Sequence, residues 1–509
     1  MGLLNKLGKF LTEVDKKLDE KLAEYEQKEQ ENAAKKEAKA AVETYPEFVT
    51  EPIFKKEIDN VPEKVEEEKE YFYGFEMASK EEQNRAQFAW CMKYAQEGDP
   101  YWQTQLGYCY WNGIGTQQND ALTWEWFEKA AKQEFVPAIL ECGVMYSLGR
   151  GVIQNFVASK ELFEKAAEYG DLNALRNLGD MYFYGDLGEI NYPKAAEYYE
   201  KAANNGHAEA QHRLAEMYIG GQGVTKNLEQ ALFWLQKAAE QGMIRPMIKC
   251  GMAYANGLGT SVDYGEAIKW YSMAAECGNP EGQTMLADMY ANGNGVMQDW
   301  NKAISLYEQA SAQGWADAQY TLGRIYHWGD GGVKDDKRAF EYFRMAAEQG
   351  HRSSQDMLGE MYQFGFGVVK NGSMAAQWYA KAAEQNHPFA QNSLGCMYME
   401  GVFVPKDERK ASELFLQSAQ LGDSNGMFNI GLNYENGAGV VRDIGKAIEW
   451  YEKAANLGNT AAMNSLGVLY YEGKGVPKDQ NMAIMWWRKA AAQGEQTAIN
   501  NLNRLGIRV

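Results

Sequence analysis

Apolar and small residues return along this chain with a period that does not slip. From Leu106 to Tyr470 one phrase recurs eleven times: Leu-Gly-x-x-Tyr-x-x-Gly-x-Gly, then Ala-x-x-Trp-Tyr-x-Lys-Ala-Ala and a closing Gly. Its central residue is Gly107, Gly143, Gly179, Ala215, Gly251, Ala287, Gly323, Gly359, Gly395, Gly431 and Gly467, each 36 residues after the last. A constant period of this length marks a stack of identical supersecondary units. Such stacks offer an extended surface rather than one active-site pocket.

Each unit reads as two antiparallel helices, a leading and a returning one. In the leading helix Ala174, Leu178, Gly179 and Tyr182 fall on one helical face. A glycine inside a helix costs roughly 1 kcal/mol against alanine. Eleven positions held only by Gly or Ala therefore predict a close helix-to-helix approach. The Gly-x-Gly that follows ends the leading helix and turns the chain. In the returning helix Ala447, Trp450, Tyr451, Ala454 and Ala455 make the buried stripe. A glycine such as Gly170, Gly206 or Gly494 then stops it, with Asn386 once in that role. Leu187 and Phe403 replace the second loop glycine, and Leu162, Leu306 and Leu414 replace the tryptophan.

Outside the repeats the pattern changes. Residues 1–45 read as a charged amphipathic helix in which Leu4, Leu7, Leu11, Val14, Leu18 and Tyr25 trace a short coiled-coil seam broken at Lys21. Self-association through this segment ranks first, a mobile tail second. Peripheral membrane contact through Lys6, Lys9, Lys16 and Lys17 ranks third. Residues 46–70 carry Pro46, Pro52 and Pro62 among many charges and read as a linker. Residues 71–103 form an N-terminal half-repeat cap, 104–496 the eleven repeats, and 497–509 a closing half-repeat. Its Asn500, Asn501, Asn503 and Arg504 suit an open solenoid end.

The most regular copy is Leu466-Gly467, Tyr470, Gly473-Lys474-Gly475-Val476, Ala483, Trp486-Trp487, Lys489-Ala490-Ala491 and Gly494. It resembles the Sel-one-like repeat (SLR) family, a relative of the tetratricopeptide repeat, and the likeness runs over about residues 71–509. The resemblance implies an all-α fold, a right-handed superhelical solenoid of antiparallel helix pairs. It also implies a scaffold or adaptor role and carries no catalytic residues.

Charge narrows the partner. A net charge of −19 argues against nucleic acid, whose phosphates need clustered Lys and Arg, and favours a basic protein or peptide. The six cysteines share no spacing and read as small buried hydrophobes in a reducing, cytoplasmic compartment. No apolar run reaches the length of a membrane span and no signal peptide is visible. Phosphate-loop, zinc-protease and hydrolase motifs are missing, and the Gly-x-Gly pairs lie between helices rather than after a strand. No cofactor, metal or enzymatic activity is expected. His207, His212, His327, His351 and His387 show no ligand spacing, and His207 with His212 reads as a solvated pair.

Candidate binding residues come from the helical wheel. With the central glycine at zero, positions −5, −1 and +3 face inward, and −3, +1, +4 and +5 point away. By resemblance to tetratricopeptide arrays, that side lines the concave groove. The +1 position carries an acidic ladder of Asp180, Glu216, Asp288 and Glu360, interrupted by Arg324. The +4 and +5 positions carry Trp111, Phe183, Tyr184, His327, Trp328, Phe364 and Tyr471. Either these aromatics bind a partner or they pack on neighbouring leading helices. The same two outcomes stand for the apolar residues Leu140, Val144, Ile248, Met252, Phe428, Leu432 and Val468. The expected function is a protein-interaction scaffold or adaptor, with an immunity- or chaperone-type inhibitor of one basic partner as the alternative.

Overall fold

The computed structural model describes residues 79–507, so the expectations for residues 1–45 and 46–70 lie outside the described residues. Every regular element among the described residues is helical: 24 α-helices and one short 3-10 turn at Asp330–Gly332. The chain divides into two compact units, one ending at Trp126 and one beginning at Phe127. In the first unit, helices Lys80–Gln96 and Pro100–Asn112 pack through Cys91, Ala95, Leu106 and Tyr110. Ser79 and Glu82 start it with a reciprocal capping box.

In the second unit leading and returning helices alternate, from Val136–Leu148 and Phe156–Glu168 to Thr460–Glu472 and Gln480–Ala491. From Val136–Leu148 on, each helix packs on the one that follows it in sequence. The fold is the expected all-α stack of helix pairs. The helix Gln496–Arg504 closes it by burying Ala498 and Leu502 while Asn503 faces water.

The mid-helix glycines have a specific cause. A Cβ on Gly143 or Gly179 would lie 2.6 Å from the ring of Phe163 or Tyr199, and Gly251 faces Tyr271 even more closely. In every such pair the ring comes from the returning helix, twenty residues downstream. The close approach is thus an aromatic face laid on bare backbone. At Ala215 the residue twenty on is Leu235, a smaller side chain. At Ala287 it is still aromatic, Tyr307, and the methyl is accommodated.

Loop geometry follows equally tight rules. The first loop glycine adopts positive φ (Gly149 68°, Gly257 69°) and caps the leading helix. The second also has positive φ, and a Cβ there would strike the first residue of the preceding returning helix: Gly367 meets Asp336, Gly439 meets Glu408. Phe403, with φ 66°, breaks this rule, and the residue it faces is Gly372, whose own Cβ would collide with the Phe403 ring. The glycine has changed sides of the contact.

Each returning helix in the second unit opens on an Asn or Asp that caps backbone N–H groups, such as Asn155 and Asp443. The same residues donate their own N–H to the carbonyl of the repeat tyrosine, as Asn371 does to Tyr362 at 2.8 Å. Returning helices end at positive-φ glycines and, as expected, at Asn386 (φ 58°). Glu134 (φ 61°) fills that role in the first repeat. Two expectations need correction: Trp450 is only half-buried, because its ring flanks the stripe rather than lying in it, and Cys277 is exposed at a helix C-cap.

Candidate functional site

Leading helices of successive repeats touch directly. Asn429 donates to Asn392 Oδ1 at 2.8 Å and Asn501 to Asn464 Oδ1 at 3.1 Å. The acidic +1 residues sit on this same surface, but they are not four free carboxylates. Asp180 accepts from the Tyr199 hydroxyl at 2.5 Å and pairs with Arg176 at 2.7 Å. Asp288 accepts from the Tyr307 hydroxyl, and burial raises its carboxyl above the usual range. Glu216 pairs with Lys249 of the next repeat. Glu360 is half-buried beside Asp356, whose carboxyl burial and the Glu360 charge push up to about 7. The buried tyrosine of the returning helix reaches out to the +1 position, which is why Asp180 and Asp288 turn inward although the wheel points them away from the core.

The aromatics divide into two sets. Phe183 packs its ring 5.2 Å from Tyr192 and 6.5 Å from Tyr199, and Tyr184 stacks edge-on to Phe183. Trp111 is half-buried in the first unit. His327 bonds Asp336 Oδ1 at 2.8 Å and its side chain is 11% exposed. Tyr471 lies against Trp487. By contrast Trp328 is 53% and Phe364 55% exposed. Rings join them: Trp328 to His327 at 5.0 Å, His327 to Phe366 at 5.4 Å, Phe366 to Phe364 at 5.8 Å. The Arg324 guanidinium lies over the Trp328 ring, 5.4 Å from its centroid. Phe366, on a loop, was missed because the repeat leaves that position variable.

Most of the apolar candidates pack into the helical cores. Leu140 and Ile248 are buried, Phe428 lies 5.7 Å from Tyr451, and Val144 and Val468 line their local cores. Only Met252 and Leu432 of that set are exposed.

The histidines also require correction. His212 is buried, and His207, His351 and His387 hold one register position as helix N-caps. Each accepts a backbone N–H at Nδ1, as His207 does from Ala210 at 3.1 Å. Nε2 of His207 meets Asn173 Oδ1 at 3.1 Å and that of His351 meets Asp317 at 3.4 Å. His387 lies 3.8 Å from Asp356. Burial lowers the pKa of all three. No group of three potential metal ligands and no helix long and apolar enough to cross a membrane occurs among the described residues.

This geometry matches known proteins. The Sel1 repeat model fits eleven consecutive segments, from 101–135 through 316–351 and 352–387 to 460–495. A protective antigen of uropathogenic Escherichia coli with an SLR fold is 34% identical, over 82% of this chain and 90% of its own, with a TM-score of 0.62. A Sel1 repeat protein from Oxalobacter formigenes is 29% identical over 61% of this chain and 89% of its own, with a TM-score of 0.51. The chitin synthase regulator SKT5 of Saccharomyces cerevisiae is 41% identical over 69 residues, 14% of this chain and 10% of the regulator. With its repeats matched one after another and a relative of the same fold along most of its length, the chain belongs to the Sel1 repeat family.

Proposed function

We propose that this protein is a scaffold or adaptor that holds a protein or peptide partner along its leading-helix surface, without catalysis. The observation that carries the reading is the run of rings Trp328–His327–Phe366–Phe364, which spans two adjacent repeats and exposes Trp328, Phe366 and Phe364 around the more buried His327. Large aromatics clustered in the open are costly to leave in water and are the usual anchors of interfaces. The acidic +1 residues contribute mainly through Glu216 and Glu360, since Asp180 and Asp288 are committed to buried tyrosines.

The test is quantitative affinity purification from the native cell with the full chain and its Trp328→Ala/Phe364→Ala variant. Partners retained by the parent should fall at least fivefold with the variant, at an unchanged melting temperature. Several substoichiometric partners fit an adaptor. One stoichiometric basic partner would instead fit the inhibitor reading, and equal retention by both forms would reject the aromatic anchor.

A further inference from the structure

We propose that the loop edge of the seventh to ninth repeats docks an extended acidic segment of a partner protein bearing aromatic or apolar side chains. This rests on the scaffold reading and supplies the partner's chemistry, which for this stretch is the opposite of the basic partner that net charge suggests.

The residue just before the returning-helix cap is basic in five consecutive repeats: Lys334, Lys370, Lys406, Arg442 and Lys478. In the first six repeats the same position holds one base, Lys226. In a chain of net charge −19 this reversal is local and regular.

The loops fix where these side chains stand. The neighbouring cap residues Asp335, Asn371 and Asp407 donate their N–H groups to the carbonyls of Tyr326, Tyr362 and Tyr398 at 2.8 to 2.9 Å. A Cβ on Gly329, Gly365 or Gly401 would lie 2.9, 3.5 or 2.8 Å from the Cβ of Lys334, Lys370 or Lys406. Each lysine stem therefore rises over the glycine that ends a leading helix. The residue before that glycine is Trp328 in the seventh repeat and Phe364 in the eighth.

Cation and exposed ring thus stand side by side in the seventh and eighth repeats, while in the ninth Glu400 takes the place of the ring. Phe366 and Phe403 (36% and 52% exposed) extend the apolar stripe along the same loops. All three lysines are exposed. Lys334 and Lys370 make no ion pair among the described residues, and Lys406 shares only an exposed bridge with Glu408. Such a bridge contributes little and is easily exchanged. Of the nearby acids, Asp335 and Asp407 cap helices and Asp336 holds His327, which leaves Asp330 in the seventh repeat and Glu400, just before Gly401, in the ninth. With Arg324 on Trp328, the edge presents fixed positive charge interleaved with rings. A segment that alternates carboxylates and apolar groups complements both features.

The test uses fluorescence anisotropy on the full chain with three fluorescein-labelled 16-residue peptides. One alternates Glu with Phe and Ser, one has Lys for each Glu, and one has Ala for each Phe. The first should bind at least tenfold more tightly than the others and weaken as salt rises. Lys334→Glu/Lys370→Glu/Lys406→Glu should lower its affinity at least tenfold, with helicity and thermal midpoint unchanged. Absent binding, equal affinity for the Lys peptide, or no effect of the triple variant would overturn the proposal. Equal competition by a 16-nucleotide thymidine strand would overturn the choice of a protein segment. Failure of the acidic peptide while Trp328→Ala/Phe364→Ala still loses native partners would sink this inference alone and leave the scaffold reading standing.

Discussion

A single missing methyl group decides how each pair of helices meets. Gly251 lets the Tyr271 ring lie on the backbone, so Gly251→Leu should force the ring out and cost about 1–3 kcal/mol, the usual penalty of overpacking. Hydrogen exchange should show the loss concentrated in residues 215–290, and undiminished protection there would remove the role given to this glycine. The acidic ladder yields a second prediction. Tyr199 is wholly buried and its hydroxyl donates to Asp180. Asp180→Ala should therefore destabilise by about 1–3 kcal/mol, the range for orphaning a buried polar group, whereas Asp180→Asn keeps an acceptor and costs less. Urea unfolding separates the two. The periodicity places Asp180 outward, because a helical wheel shows direction from the axis but not how far a returning-helix tyrosine reaches.

Helix ends carry the pH dependence. His207, His351 and His387 cap leading helices through an unprotonated Nδ1, and burial lowers their folded-state pKa below the ordinary value near 6.5. As pH falls the unfolded chain takes up protons first, so the stability these caps supply is full above about pH 6.5 and is lost toward the lowered values. Two carboxyls act in the opposite sense: burial, aided by the Asp180 charge, raises Asp186 in the loop after Tyr184 to about 6, and Asp356 lies at about 7. Their contribution is full below the unfolded carboxyl value and lost as pH rises through those points. A comparison isolates the histidines. Relative to His207→Asn/His351→Asn/His387→Asn, whose caps do not titrate, the parent should lose stability between pH 7.5 and 5.5 by up to about 1 kcal/mol per cap. A constant difference in urea midpoints would refute the caps' role.

Element boundaries are largely legible in the sequence: the Gly-x-Gly turns and stop glycines fall at positive φ where expected. The caps are legible too, since Asn or Asp opens each returning helix at one register position, yet the eye follows the apolar period. The histidines look scattered only when they are compared with each other and not with the Asp and Asn that hold the same place in other repeats.

At the scale of the molecule, the period fixes the architecture, and the departures from it fix the surface. Trp328 and Phe364 are visible as misfits at polar positions and are more than half exposed, while Phe183, equally visible, packs on Tyr192 and Tyr199 of the returning helix. What separates them is whether rings of the returning helix fill the adjacent space, which the pattern of the leading helix alone does not record. Residues 1–45 belong to this scale as well. Their deletion should leave the repeats folded and lower the number of copies per assembly in light scattering, and an unchanged copy number would end the self-association reading.

The exchange of glycine between Phe403 and Gly372 limits how this gene can be rearranged. A linear array invites duplication, loss and reordering of its modules, because most junctions are interchangeable. This one is not. Any other repeat placed before the ninth would bring a side chain where Gly372 stands and meet the Phe403 ring. The eighth and ninth repeats should therefore be inherited, transplanted and engineered together, as one indivisible module.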